Sequence, residues 1–416
     1  MKTSENRGTN RRQFLQTAAA AGAVSIAPWV MAAEAKGANE RLGVGFIGTG
    51  GRAGAHIGIC LGLKAKGLCE TVAVCDVYRP RVDAAAAQTG GKVYRNYKEL
   101  LADPRVDVVC IATPDRHHAP QAIDAVRAGK DVYCEKPLTH WSQFALARQL
   151  GEEAAKHSRI VQVGTQYVAD DAYDKARELI KQGIVGKIVH AQVGYFRRGD
   201  WGERMPVPDP NAQPGPDLDW EQFLGDAPKQ PYSVSRFFQW RLYWDYAGGP
   251  STDLLVHAFT PVFRLLDLGY PDRVMGGGGN FQYSREVPDQ CNILADYPGG
   301  PSVVMMNSLS NFTGIQTILR GTDGSIVCGD IEHLGPGIRL VPAEKSAKEV
   351  VVPWNGAGDT GRLWTNFIEC VRTRAKPFSP IDVAVRVQAP LNMGILSHRE
   401  GKVARFDKQK QDIVLG

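Results

Sequence analysis

The run that ends at Pro137 places two ionisable side chains, Glu135 and Lys136, where a strand must stop. The apolar residues 132–134 are typical of a buried parallel strand, and Pro137 cannot donate to a strand ladder. Open α/β sheets hold their ligands at the carboxyl ends of strands. The sequence therefore predicts that Lys136 faces a ligand, although a solvated lysine at a strand end is the commoner arrangement.

Asp253 and His257 form a second candidate pair, because residues four apart on a helix share one face. Two glycines break the chain just before them, and Ser251 or Thr252 can cap a helix there. A surface pair that only stabilises the helix is the alternative. An imidazole titrates near neutral pH, so His257 is a candidate general base.

A glycine string follows the first apolar strand, residues 42–47, and opens a helix. Its pattern, Gly48-Thr49-Gly50-Gly51-Arg52-Ala53, is the G-x-G-x-x-A form of the dinucleotide fingerprint. Gly48 allows a tight turn, and Gly50 lets a diphosphate approach the backbone. The free N–H groups at the helix start attract the anion. This string predicts a dinucleotide site.

Asp76 ends the second predicted strand, residues 71–75, about 25 residues after the glycines. A carboxylate there can accept both hydroxyls of an adenosine ribose and would repel a 2′-phosphate, so we expect NAD rather than NADP. Arg79 and Arg81 follow closely, and an arginine nearby can accommodate that phosphate, so NADP stays open. A turn residue or helix cap is the alternative role for Asp76.

The order of predicted elements indicates an α/β chain. Strands alternate with helices over residues 41–165, which predicts a Rossmann-type, doubly wound parallel sheet. Residues 166–410 predict an α+β domain with a large, mostly antiparallel open sheet, because glycine turns separate its strand-like runs. The irregular loop at 199–232 is a candidate lid. Its Trp201 and Trp220 could stack on a sugar ring or fix the loop to the body.

Three motifs stand out: the glycine string, Ala112-Thr113-Pro114 with His118-Ala119-Pro120, and Glu135-Lys136-Pro137. Together they resemble the Gfo/Idh/MocA family, the relatives of glucose–fructose oxidoreductase and inositol dehydrogenase. The likeness covers essentially the whole chain after its N-terminal leader. Asp115 stands where the family pattern usually has Asn, and His117 occupies a variable position, where we expect a surface residue.

The resemblance implies the roles of the site residues. Lys136 would donate to the substrate oxygen, His257 would be the general base, and Asp253 would orient His257. The predicted cofactor-binding residues are Gly48, Thr49, Gly50, Gly51, Arg52, Asp76, Arg79, Ala112, Thr113, Pro114, His118, Glu135, Lys136 and Gln166. The predicted substrate-binding residues are Lys136, Tyr167, Arg241, Asp253 and His257. No metal site is expected.

The expected function is NAD(P)-dependent oxidation or reduction at a secondary alcohol or hemiacetal carbon of a sugar or cyclitol. One alternative is redox-assisted glycoside cleavage, in which a transient 3-keto sugar eases elimination and NAD is regenerated. The other is a non-catalytic sensor that keeps only the dinucleotide site. The presence of Lys136, Asp253 and His257 together argues against the sensor.

The N-terminus carries a targeting pattern. Arg11 and Arg12 precede an Ala-rich, weakly apolar run that closes on small residues, which is typical of a twin-arginine export signal. Gly22 and Pro28 interrupt the run, so an uncleaved membrane anchor is not expected. We expect residues 1–35 to be removed and the folded protein to be periplasmic or otherwise exported. That route suits a cofactor that is loaded in the cytoplasm and never released.

The net charge and the cysteine spacing limit the classes of ligand and partner that we expect. The chain has a net charge of +5, and residues 1–35 hold four Lys/Arg against two Glu, which leaves about +3. That surplus is too small to favour nucleic acid or an anionic membrane. The eight cysteines lack metal or C-x-x-C spacing, so Cys75, Cys110 and Cys134 are expected to be buried free thiols. The resemblance implies a homodimer or homotetramer.

Overall fold

The computed structural model describes residues 41–199, 205–331, 333–344 and 346–416. The predicted export signal at residues 1–35 and Trp201 lie outside these ranges. Within them, the predicted fold class is confirmed: a parallel sheet is followed by a larger, mostly antiparallel one.

The first sheet has six parallel strands in the spatial order β3-β2-β1-β4-β5-β6. Its strands are β1 (Leu42–Ile47), β2 (Cys69–Cys75), β3 (Lys92–Tyr94), β4 (Val108–Ile111), β5 (Asp131–Cys134) and β6 (Val161–Val163). The intervening helices are α1 (Gly51–Ala65), α2 (Arg79–Thr89), α3 (Tyr97–Leu101), α4 (Asp115–Arg127) and α5 (Phe144–Lys156). Strands β4 and β5 are buried throughout, since helices cover both faces of the sheet. The strand order reverses between β1 and β4, which is where such sheets open a crevice for a ligand.

The second sheet has ten strands in the order β14-β13-β12-β11-β7-β10-β9-β8-β15-β16. Its strands are β7 (Ile188–Phe196), β8 (Arg273–Gly279), β9 (Gln290–Asp296), β10 (Ser302–Ser308), β11 (Thr317–Gly321), β12 (Gly324–Gly329), β13 (Gly337–Pro342), β14 (Val350–Pro353), β15 (Ala404–Asp407) and β16 (Asp412–Leu415). Only the β7–β10 pair is parallel among these neighbours. The apolar side chains Val189, Met275 and Leu294 are exposed on these strands.

Helices of the second part pack on this sheet and beside it. They are α6 (Ala172–Lys181), α7 (Trp220–Leu224), α8 (Val234–Phe238), α9 (Pro250–Asp253), α10 (Leu255–Leu266), α11 (Thr360–Thr373) and α12 (Ile381–Glu400); short 3-10 turns span Gln166–Val168 and Trp240–Leu242. The 20-residue helix α12 was not expected from the sequence. None of the helices in the described ranges is both long and apolar enough to cross a membrane.

Helix α11 completes the core of the first sheet. Its Trp364 stacks on Tyr133 of β5 at 4.4 Å between ring centroids, and Phe367 packs edge-on against the same ring. Just after α11, the guanidinium of Arg374 binds both carboxylate oxygens of Asp131 at 2.8 and 3.0 Å. Residues far apart in the chain therefore share one apolar core.

Residues 205–247, here called the covering segment, lie over the first sheet. The segment has its own apolar core, in which Trp220 stacks on Phe223 and its indole N–H donates to the carbonyl of Gln230 at 3.1 Å. Trp220 thus stabilises the core of the segment itself. Two ion pairs, Arg79–Asp217 at 2.6 Å and Arg116–Asp226 at 2.8 Å, tie it to the Rossmann part.

Candidate active site

A cavity of about 1120 Å³ runs from the glycine string to helices α9 and α10, under the covering segment. Small-molecule pockets usually measure about 300–1,000 Å³, so this one has room for more than one small ligand. The predicted residues on its wall are Gly48, Gly50, Gly51, Arg52, Asp76, Ala112, Thr113, Pro114, His118, Glu135, Lys136, Gln166, Arg241, Asp253 and His257. Thr49, Arg79 and Tyr167 are not on the wall.

The glycine string is shaped to receive a ligand at close range. Gly48 has a φ of +81°, and a Cβ there would lie 2.9 Å from the backbone nitrogen of Thr113. Helix α1 begins at Gly51, where a Cβ would meet no atom within 4 Å. Open space over a helix start with free N–H groups fits the diphosphate of a dinucleotide.

Asp76 holds the string in position. One of its carboxylate oxygens accepts from the backbone N–H and the hydroxyl of Thr49 at 2.7 and 3.1 Å, and the other accepts from the N–H of Tyr78 at 2.9 Å. The predicted cation Arg79 is instead half exposed and pairs with Asp217 outside the cavity. Arg81, Arg95 and Lys98 are the cations on this part of the wall.

Glu135 connects the first helix with strand β5. Its carboxylate accepts from Arg52 Nε and from His56 Nε2, both at 2.8 Å, while His56 Nδ1 accepts from the indole N–H of Trp364 at 2.9 Å. Burial alone would raise the pKa of Glu135, but the charge of Arg52 and the bond from His56 hold it well below its usual range. Glu135 is therefore a buried anion that the protein itself satisfies.

The two histidines of the Ala112–Pro120 motif are both buried. The ring nitrogens of His118 lie 2.8 and 2.6 Å from the carbonyl oxygens of Thr113 and Pro137, so the ring fixes the loop after β4 to the loop after β5. The prediction that His117 is a surface residue is wrong, because its Nε2 lies 2.8 Å from the carbonyl oxygen of Phe223 in the covering segment. Burial lowers the pKa of His117 to about 4.

Lys136 and Asp253 meet at the other end of the cavity. Lys136 Nζ donates to Asp253 Oδ1 at 2.6 Å and to its carbonyl oxygen at 2.8 Å. Burial would raise the pKa of Asp253, but the charges of Lys136 and Arg241 outweigh burial and lower it below its ordinary range. The pair is therefore charged.

His257 lies on the same wall, and one of its ring nitrogens has no hydrogen-bond partner among the described residues. The residue is buried, and no partner for its Nδ1 occurs in the described part of the chain. Burial and the charge of Lys136 lower its pKa well below the usual range, so the ring is neutral. Tyr167, which is predicted to bind substrate, packs its ring edge-on against that of His257, with 5.6 Å between the ring centroids. Because Tyr167 is not on the cavity wall, it supports the His257 ring from the side away from the cavity.

The predicted role of Asp253 as the residue that orients His257 has no hydrogen bond to support it in the described part of the chain, where Asp253 bonds to Lys136. The helix breaks at Leu254, between α9 and α10, and the Asp253 carboxylate turns to Lys136 and Arg241. A regular helix would have kept residues four apart on one face. Asp253 therefore positions the lysine.

Two further predicted residues complete the wall at this end. The Nε of Arg241 lies 3.6 Å from Asp253 Oδ1, and its guanidinium stacks over the ring of Trp240 at 4.1 Å. Gln166 Oε1 is buried without a partner among the described residues. Together with His257 Nδ1, it is an unsatisfied buried polar atom of a residue on the cavity wall, as expected of a site that binds a polar molecule.

Matches to protein-family models follow the division between the two sheets. Residues 42–165 match the family described as "Oxidoreductase family, NAD-binding Rossmann fold", and residues 170–415 match its "C-terminal alpha/beta domain". The chain belongs to the Gfo/Idh/MocA oxidoreductase family. The first sheet is therefore an NAD-binding Rossmann fold, which confirms the predicted cofactor.

Similar proteins include members with different activities. Inositol 2-dehydrogenase from Rubrobacter xylanophilus is 33% identical over 165 residues, 40% of this chain and 46% of that protein. An alpha-N-acetylgalactosaminidase from Shewanella oneidensis is 28% identical over 174 residues, 39% of this chain and 36% of that protein. The chain thus matches less than half the length of these curated relatives.

Among solved structures, the fold resembles that of the WlbA dehydrogenase from Bordetella pertussis, in complex with NADH and UDP-GlcNAcA. The TM-score is 0.65 at 19% identity, over 88% of this chain and 99% of that one.

Some residues of this Gfo/Idh/MocA site were missed. Arg95 and Asp115 line the cavity; Arg95 directly follows β3 and Asp115 lies four residues after the end of β4, so the rule that ligands bind at strand ends could have found both. Arg197, after β7, gave no such signal. Groups of three or more metal-ligating side chains are absent from the described part of the chain.

Proposed function

We propose that this chain is an NAD-dependent oxidoreductase that acts on a secondary alcohol or hemiacetal of a sugar or cyclitol. The observation that carries the proposal is the Lys136–Asp253 ion pair, 2.6 Å apart, on one cavity wall with the neutral ring of His257. A proton donor and a proton acceptor then face one ligand, which is what alcohol oxidation requires.

The residues divide the work of the reaction. The His257 ring takes the hydroxyl proton, because it is neutral and lines the cavity. Lys136 donates to the same oxygen as negative charge develops on it, and Asp253 holds Lys136 in place. The nicotinamide, when bound, supplies the hydride chemistry.

The dinucleotide has a defined set of contacts. The helix start at Gly51 would hold the diphosphate, and Asp76 would face the adenosine ribose. We propose NAD over NADP, because the carboxyl group of Asp76 lies at that place, with the basic residues Arg81, Arg95 and Lys98 nearby as the groups that weaken the preference.

We further propose that the cofactor stays bound through turnover. The covering segment supports this, because it packs over the cavity and is tied to the Rossmann part by Arg79–Asp217 and Arg116–Asp226. Export of the folded protein through Arg11 and Arg12 remains the proposed route. The enzyme would then oxidise one carbohydrate and reduce another.

Redox-assisted glycoside cleavage is the second candidate. Its support is the match to an alpha-N-acetylgalactosaminidase, which covers 39% of this chain. Such a reaction uses the same oxidation and returns the hydride to the product, so it needs no second substrate. A homodimer or homotetramer is also proposed, and the exposed apolar side chains Met275, Phe281 and Phe312 of the second part would be its contact residues.

The test is the ultraviolet spectrum of the purified protein before and after candidate sugars are added. We expect bound NAD to survive extensive dialysis and the band of the reduced nicotinamide to appear with one class of sugar. A p-nitrophenyl glycoside that is cleaved without net reduction would select the second candidate. Protein that contains no nicotinamide after denaturation, by mass spectrometry, would refute the tight-binding proposal. Bound cofactor that no sugar ever reduces, and no glycoside cleavage, would favour the sensor.

A further inference from the structure

Asp115 is a carboxyl group on the cavity wall that the proposed reaction does not use. It is the first residue of α4, directly after Pro114, and it is only 2% exposed. Its Oδ1 has no hydrogen-bond partner in the described part of the chain. An unsatisfied, buried polar atom beside a cavity indicates a place for a ligand atom.

The cations around Asp115 already interact with another carboxylate. Lys136 and Arg241 are the nearby cations, and both are drawn to Asp253, at 2.6 and 3.6 Å. No ion pair of Asp115 occurs among the residues that the structure describes. A buried carboxylate without a counterion is costly, and the acid form avoids that cost.

The groups that act on Asp115 oppose one another. Burial and the negative charge of Asp253 favour the acid, whereas Arg241, Lys136 and the N–H at the start of α4 favour the anion; the thiol of Cys134 in β5 is the remaining titratable neighbour. The balance raises the pKa of Asp115 to about 8. At neutral pH its O–H is available to donate.

We propose that Asp115 binds the ligand in this cavity as an uncharged carboxylic acid, whose O–H donates a hydrogen bond to a ligand oxygen. The ligand is the dinucleotide and substrate of the proposed function, on which this inference rests. The acceptor is an oxygen of either the nicotinamide carboxamide or the sugar. A group that donates as an acid is lost when it ionises, so binding weakens as the pH rises.

The protonation state can be measured without turnover. Infrared difference spectra between wild type and Asp115→Asn at pH 7 should show the carbonyl stretch of a protonated acid, replaced by carboxylate bands at pH 9. Asp131→Asn is the matched control, because Asp131 is also 2% exposed but pairs with Arg374 at 2.8 Å, so its difference spectrum should show only carboxylate bands. Carboxylate bands for Asp115 at pH 7 would overturn the proposal.

Measurements of cofactor binding distinguish a protonated Asp115, which donates a hydrogen bond, from an ionised Asp115, which could only accept one. The probe is isotopically labelled NAD, and mass spectrometry follows the rate at which it replaces bound cofactor. Asp115→Asn keeps a donor and should stay within about twofold of wild type at pH 7, whereas Asp115→Leu should exchange roughly tenfold faster. Wild type should exchange about fivefold faster at pH 9 than at pH 7, because around a pKa of about 8 most of the protein changes from the acid to an anion that, like Asp115→Leu, exchanges roughly tenfold faster, and Asp115→Asn should not show this change.

The second arm locates the acceptor. If exchange is unchanged but the KM of the reducing sugar follows the same pattern across both variants, the donated bond goes to the sugar, and the proposal stands. If neither the exchange rate nor the KM changes in Asp115→Leu, the proposal fails. It also fails if Asp115→Asn changes either quantity as much as Asp115→Leu does. Wild type that binds no NAD would instead overturn the proposed function, and the infrared spectrum alone would then settle whether Asp115 is protonated.

Discussion

The two ends of the cavity are built on different principles. At the dinucleotide end, Asp76 and Glu135 bond to Thr49, Tyr78, Arg52 and His56, so these anions are satisfied by the protein and serve to shape the backbone. At the reacting end, His257 Nδ1 and Gln166 Oε1 have no partner in the described ranges.

This difference separates side chains that support the fold from side chains that act on the ligand. At the dinucleotide end, a side chain whose hydrogen bonds are all internal shapes the fold, and its loss should destabilise the protein or change how the cofactor binds. At the reacting end, a side chain on the wall contributes to what happens to the ligand, and its loss should leave the fold intact. The following variants test that division, from the largest expected effect to the smallest.

Lys136→Ala should lower the turnover number by about 10²–10⁴-fold while bound NAD stays near the wild-type content, since it removes the group that would donate to the reacting oxygen. The measurement is the rate of nicotinamide reduction by the responding sugar, together with cofactor content by mass spectrometry. Lys130→Ala, at the opposite end of β5, is the control and should keep its rate, because Lys130 bonds only to backbone carbonyls. A near-normal rate in Lys136→Ala would contradict the assignment.

Glu135→Gln should cost about 1.5–3 kcal/mol of unfolding free energy, because it weakens the hydrogen bonds of a buried carboxylate to Arg52 and His56. Urea denaturation would measure the loss. Glu349→Gln, which breaks the exposed Arg339–Glu349 pair, should cost at most about 1 kcal/mol. Equal losses from the two variants would show that Glu135 is not part of the scaffold.

Acid should weaken the fold through His117. Its pKa of about 4 lies below the ordinary value of 6.5, so the unfolded chain binds the proton first, and stability is complete above pH 6.5 and falls as the pH drops toward 4. The total is about 3 kcal/mol, at 1.36 kcal/mol per pH unit. The free energy of unfolding of His117→Gln should fall less steeply with pH, whereas His333→Gln, on the surface, should follow wild type. Parallel curves for wild type and His117→Gln would disprove this.

Asp76→Ser should shift the NADP-to-NAD affinity ratio by about tenfold toward NADP, since it removes an anion near the adenosine ribose. Adding Arg81→Ala should cancel most of the gain, because Arg81 lines the cavity. Adding Arg79→Ala should change it by less than about twofold, because Arg79 pairs with Asp217 outside the cavity. Competitive binding of the two cofactors measures all three, and an Arg79 effect equal to that of Arg81 would reverse their roles.

The sequence predicted the elements that obey local rules. Strand ends, the glycine string and the positions of Lys136, Asp253 and His257 followed from spacing and resemblance, and all of these residues lie on one cavity. The alternating βα order was sufficient to predict the first sheet.

The misses have a common physical cause, which is packing between distant segments. His117 is buried only because Phe223 of the covering segment lies over it, and Arg79 leaves the cavity only because Asp217 attracts it. The break at Leu254 redirects Asp253 from His257 to Lys136. Composition and periodicity carry no information about which distant residue supplies a partner.

The contribution of α11 to the first core has a consequence for synthesis on the ribosome. The chain completes β6 at Val163, yet the buried Tyr133 gains its stacking partner Trp364, and Asp131 its partner Arg374, about 200 residues later. At a synthesis rate of about 5–20 residues per second, the nascent Rossmann half is without helix α11 for roughly 10–40 s. The face of Tyr133 that Trp364 covers stays open to chaperones throughout that interval. A ribosome stalled before Trp364 would therefore hold an unfinished dinucleotide-binding domain, although every one of its strands has already been made.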